Sequence, residues 1–226
     1  MLFDLRSPGR RFAIKTIYLA LAILLGGGLV LFGVGSGVQG GLFDAFKSDS
    51  QQLSDDTFVK RAEAQERAAR ANPSDPAAWS RLAALRFQAA DYDDQAQSFT
   101  SGGREQLGLA ARAWDRHLSL AGNKPDANTA KLMVQVYDGL ERPAGAVRAQ
   151  EIVLEDVGDE ATSAQYVQLA FYAYQAKQTR KAELAGQRAV QLAPRDERAA
   201  VRDQIESLKQ AAVQADVEES GAASGG

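Results

Sequence analysis

Residues 166–194 read YVQLAFYAYQAKQTRKAELAGQRAVQLAP, and this stretch decides the fold. Its first half opens Tyr166-x2-Leu169-Ala170, and its second half closes Ala182-x6-Ala189-x4-Pro194. Spacings of three, four and seven are helical, and no alternating apolar-polar run of the strand type interrupts them. Pro194 marks an end, because proline cannot continue a helix. Two helices are therefore predicted, back to back. Alanines let such a pair approach closely, and a large residue from the next helix fills the remaining space.

The same design recurs upstream. Pro76-Ala-Ala-Trp79-x2-Leu82-Ala83 opens an earlier pair, and Ala110-x3-Trp114 continues it to Leu120-Ala121. A middle pair carries Met133 and Tyr137 on its first helix and Ala146 on its second. Breaks fall at residues 72–76, 122–126, 157–159 and 193–196. Asp75 before Pro76 is a good helix start, an acceptor at the cap followed by a ring that needs no donor. Ala64-x3-Ala68-x4-Pro73 reads as the second half of an incomplete pair, and Val201, Ile205 and Leu208 mark the inner face of a single closing helix. Once one long loop is removed the period is about thirty-five residues, which is a repeat period.

Over residues 57–215 these motifs resemble the tetratricopeptide repeat family: W-x2-L-G at the first helix, Ala at the second, a Pro near the end. The resemblance implies an all-α solenoid of helical hairpins with Trp79, Trp114 and Tyr166 as core wedges. It also implies that Ala90-Asp-Tyr-Asp-Asp94 is the turn between helices of the first pair. His117, one turn after Trp114, then reads as a packing histidine. Between Tyr92 and Ala110 the chain is about fifteen residues longer than the family period needs. The extra piece, Gln95–Gln106, is expected to extend the first helix and then loop out, as a functional loop or a tolerated insertion.

Toward the N-terminus, Thr16 to Val38 carries no charge, and such a length spans roughly 34 Å, enough for a bilayer core of about 30 Å. Arg6, Arg10, Arg11 and Lys15 against Asp4 leave a net of +3 before it. From Gln39 to Lys60, Asp44, Asp49, Asp55 and Asp56 against Lys47 and Lys60 leave a net of −2. The basic flank stays inside, so the expected layout is a cytoplasmic tail at 1–15, a transmembrane helix at 16–38, a linker at 39–56 and an extracytoplasmic domain beyond. Leu42, Phe43 and Phe46 read as interfacial anchors within that linker, and 216–226 as a disordered tail. A cleaved signal peptide is the competing reading, but no A-x-A site follows and the apolar run resumes as LVLFGV.

Composition excludes much chemistry. Of 226 residues, none is Cys and one is His, so disulfides, thiolate clusters, cysteine nucleophiles and two-histidine metal sites are ruled out. The 26 basic and 29 acidic residues give a net charge of −3, which speaks against nucleic acid as a partner. No phosphate loop or G-x-S-x-G is present, and Gly35-x-Gly37-x-x-Gly40 follows an apolar span rather than a strand. No catalytic, metal or cofactor residue is expected.

The resemblance implies a scaffold instead, one that binds a protein or peptide along the concave face lined by the first helix of each pair. Transferred residue by residue, that groove comprises Ser80, Ala84 and Phe87, then Asn128, Lys131, Gln135 and Asp138, then Val167, Phe171, Tyr174 and Gln175. Lys131-x3-Gln135 supplies one partial side of the family's carboxylate clamp, so apolar anchoring on Phe171 and Tyr174 is the expectation. The layout is similar to bacterial translocon-associated and envelope-assembly accessory proteins. A regulatory, non-catalytic part of an enzyme complex, or a secreted repeat protein after signal cleavage, is the alternative.

Overall fold

The computed structural model describes residues 55–93 and 95–224, and the side chains of 57–93 and 95–217. They belong to a unit running from Leu53 to Gly226. The expected cytoplasmic tail, transmembrane helix and most of the linker lie outside the described residues. Among the described residues no helix is long and apolar enough to cross a membrane.

The described chain is helical apart from one tiny strand pair. In order it forms α1 (Asp55–Ala71), α2 (Pro76–Gln88), β1 (Tyr92–Asp93), β2 (Ser98–Phe99), α3 (Ser101–Ala121), α4 (Ala127–Gly139), α5 (Pro143–Val157), α6 (Ser163–Gln175), α7 (Thr179–Leu192) and α8 (Arg198–Ser224). Helices α2 and α3, α4 and α5, and α6 and α7 pack as hairpins. Helix α1 packs on α2 at one end, and α8 packs on α6 and α7 at the other. The arrangement is a stack of helical hairpins.

Local chemistry sets where the helices begin. Asp75 accepts from Ala77 N at 2.9 Å, and Asp126 from Asn128 N at 3.0 Å and Thr129 N at 3.2 Å. Thr162 forms a capping box with Gln165. Each first helix is thus capped by a side chain. The second helices α5 and α7 have no side-chain cap. They follow a tight turn instead, in which Arg142 N reaches Tyr137 O and Gln178 N reaches Ala173 O, both at 2.8 Å. The residue before each, Glu141 and Lys177, takes a positive φ of 55° and 58°. That is the Schellman geometry, here without the usual glycine.

The core follows the alanines. Ala83, Ala110, Ala130, Ala146, Ala170, Ala182 and Ala189 are fully buried. Glycine closes two tighter approaches: a Cβ on Gly145 would stand 2.3 Å from the Tyr137 ring, and one on Gly186 would stand 2.6 Å from Ile205. Trp114 is buried and stacks on His117 with ring centroids 4.7 Å apart. Trp79 and Tyr166 are only half-buried, so they wedge less than expected. Trp79 nonetheless donates its indole N–H to Pro73 O at 3.1 Å.

Three expectations need correction. Helix α1 buries Ala62 and Ala69, while Ala64 and Ala68 are exposed. Gln65 donates to Ala78 O, the third residue of α2, as Gln150 of α5 donates to Gln165 O, the third residue of α6. So α1 stands toward α2 as a second helix stands toward the next hairpin. The side carrying Ala64 and Ala68 has no earlier helix over it among the described residues.

The insertion extends the second helix, not the first. After α2 ends at Gln88, β1 and β2 pair antiparallel with Tyr92 opposite Phe99, and α3 starts at Ser101. The expected family turn at 90–94 is thereby replaced. Phe99 lies against Gly139 at the end of α4, and Gly103 passes so close to Asp91 O that a Cβ would clash.

The end of the chain is the third correction. Helix α8 continues to Ser224, where a disordered tail was expected from 216. Asp216 pairs with Lys177 at 3.1 Å, which ties the start of this segment to the α6–α7 turn.

Candidate functional site

On α4, Asn128, Lys131 and Asp138 are exposed and Gln135 is half-exposed, one per turn along one face. Among the described residues the side chains of Asn128, Lys131 and Gln135 make no hydrogen bond or ion pair. On α6 the same face carries half-buried Phe171, its ring edge-on to Tyr172 at 5.1 Å, and exposed Gln175. On α2 it carries half-buried Ala84 and Phe87. These residues form the open face of the first helices.

Three expected groove residues are not on it. Ser80 is buried: its hydroxyl donates to Asp126 Oδ2 at 2.7 Å and meets Thr129 Oγ1 at 2.8 Å, so it joins α2 to α4. Val167 is buried in the stack. Tyr174 is buried as well, because α8 packs over that end of α6. It lines a cleft of about 590 Å³ with Ile205 and Lys209 of α8 and Glu183 of α7. Burial raises its phenol pKa. The expected anchor on Tyr174 is therefore a contact beneath the closing helix.

The face is held by polar ties between hairpins. Burial alone would raise the Asp126 pKa, but hydrogen bonds from Ser80 and Thr129 outweigh it and hold the carboxyl below its ordinary value. His117 accepts from Asp126 N at Nε2, 3.0 Å, and Nδ1 meets Pro76 O at 2.8 Å. Both ring nitrogens are satisfied by the neutral tautomer with its proton on Nδ1. Asp138 is exposed as a residue, but its carboxyl turns against Tyr172 of α6; desolvation there raises its pKa and the Tyr172 hydrogen bond opposes the rise.

Arg86 was not singled out from sequence. It is buried, with Glu66 Oε2 at 2.5 Å and Gln106 Oε1 at 2.9 Å, so one guanidinium ties α1, α2 and α3. Its Nε has no partner. Burial would raise the Glu66 pKa, but Arg86 and Arg70 lower it. Position 86 sits where the middle and last hairpins carry Tyr137 and Ala173, and only that mismatch with an apolar stripe signalled it.

Gln175 also borders a second feature. A cleft of about 560 Å³ opens between α3, the α4–α5 turn and the α6–α7 turn. Trp114 and Leu118 line it from α3, Arg142 and Arg148 from the start of α5, and Lys177 from the last turn. Tyr137 donates its hydroxyl there to Asp115 Oδ1 at 3.3 Å, and burial raises the phenol pKa.

Among the described residues no group of three or more His, Asp and Glu side chains could hold a metal ion. No family model matches the chain, and no curated protein matches it.

Proposed function

We propose that the protein is a membrane-anchored scaffold whose tetratricopeptide-like domain stands outside the cytoplasm and binds a protein or peptide partner. The uncharged segment 16–38 and its basic leading flank support the anchor and its orientation. The stacked hairpins support the scaffold class, since such stacks offer extended faces for binding. The observation that carries the binding reading is the strip Asn128, Lys131 and Gln135 on the central first helix, presented to solvent and unused by the fold.

Phe171 is the apolar anchor of this face. Burying it against a partner would contribute roughly 1.5–3 kcal/mol, consistent with a weak peptide contact. Lys131→Glu tests the reading. It should leave helix content and melting unchanged and weaken capture of the native partner, identified by crosslinking in membranes. Unchanged capture by a folded variant would remove α4 from the binding face.

A further inference from the structure

The cleft beside α5 is lined by more cations than carboxylates, on a chain whose net charge is negative. Arg142, Arg148 and Lys177 surround it against Asp115 in the lining and Asp216 at the rim, a local net of +1 on a chain of net −3. Asp115 is already engaged by the Tyr137 hydroxyl. Among the described residues neither Arg142 nor Arg148 has an ion pair. Lys177 does hold a carboxylate at this rim, that of Asp216 at 3.1 Å.

The backbone adds to this. Helix α5 starts here, with Arg142 at its cap position, no side-chain cap and Pro143 in its first turn. Pro143, Ala144 and Gly145 line the cleft, so the positive end of the α5 dipole faces it. Leu118 and Pro143 add apolar surface beside the cations.

We propose that this cleft is a docking site for an acidic segment of a partner protein, with carboxylates on Arg142 and Arg148 and an apolar side chain against Leu118 and Pro143. It rests on the peptide-scaffold reading but uses a different surface from the open face of the first helices. Acidic peptide is favoured over nucleic acid because the site is small, offers Leu118 and Pro143 beside its charges, and belongs to an acidic chain that repels an extended polyanion. The ends of the cations are solvent-exposed, so binding should weaken as salt rises.

The test uses the full-length protein and a fluorescein-labelled peptide of three EELS repeats, beside its QQLS twin and a single-stranded oligonucleotide of equal charge. The expected result is anisotropy binding at least tenfold tighter for EELS than for QQLS or the oligonucleotide. Arg142→Glu with Arg148→Glu should weaken EELS binding at least tenfold, with unchanged circular dichroism. Arg142→Lys with Arg148→Lys should retain most of it. Lys131→Glu should leave it unchanged, which separates this site from the open face. No EELS binding up to 1 mM, equal binding of QQLS or the oligonucleotide, or indifference to charge reversal would overturn the proposal. So would a dimer of the parent protein that the reversal dissociates, since the occupant would then be a second copy.

Discussion

His117 Nε2 accepts the backbone N–H of Asp126 at 3.0 Å, so the second helix of the first hairpin fixes where the next hairpin begins. The same ring reaches back to Pro76 O at 2.8 Å, the first residue of its own hairpin. One imidazole thus sets the spacing of two successive first helices. Asp126 completes the joint by capping α4 and accepting from Ser80 of α2.

His117→Ala should therefore destabilise the helical unit 53–226 by about 3 kcal/mol, since it strands a buried donor and acceptor and leaves a void beside Trp114. Urea unfolding followed by circular dichroism measures this. A loss below about 1 kcal/mol would show that the joint contributes little.

Asp126 and Glu66 both have carboxyl pKa values held below their ordinary 3.8 and 4.5. For an acid with a depressed folded pKa, the stabilisation is present above the unfolded value and lost as pH falls through the folded one. Stability should be flat from neutral pH down to about 5 on this account, then decline steadily below about 4. Asp126→Asn should lower stability at pH 7 and make the acid decline shallower. A decline of equal depth in that variant would assign the acid sensitivity elsewhere.

The two tryptophans should differ. Trp114→Ala is expected to cost about 3–5 kcal/mol, because the side chain is buried against His117. Trp79→Ala should cost about 1–2 kcal/mol, the loss of a half-buried ring and one hydrogen bond to Pro73. Equal losses would contradict the difference in burial.

Much of the architecture was legible because helix limits are local chemistry. Asp75-Pro76, the Gly122–Asp126 run and Pro194 carry their own stop and start signals, and the structure breaks at each. What was not legible depends on neighbours distant in sequence. Ser80 and Tyr174 stand at first-helix positions that the repeat pattern presents to a groove, yet α4 and α8 cover them. Nothing local to Tyr174 announces a helix that starts more than twenty residues later. Ala64 and Ala68 fit an alanine spacing, but that spacing does not say which side of α1 has a neighbour. The cationic cleft was missed for the same reason: Arg142 and Lys177 come from two different turns and Arg148 from α5, and only stacking brings them together.

Glu141→Gly should stabilise the unit by about 0.5–1 kcal/mol. Glu141 sits at φ 55° in the α4–α5 turn, a conformation that costs L side chains about 1–2 kcal/mol, partly offset by glycine's unfolded entropy. Its side chain is exposed, so little else is lost. Thermal unfolding should shift upward by about 2–4 °C for 1 kcal/mol in a domain of this size. A downward shift would show that Glu141 has a role beyond the turn.

The most direct test of the scaffold account is site-specific photo-crosslinking in native membranes. A photoreactive residue would replace Lys131 or Gln135 on the open face of α4, or Glu155 on the exposed side of α5. The account predicts one discrete adduct shared by positions 131 and 135 and absent from position 155. Adducts of equal yield from all three positions, or none from 131 and 135 while 155 reacts, would contradict it.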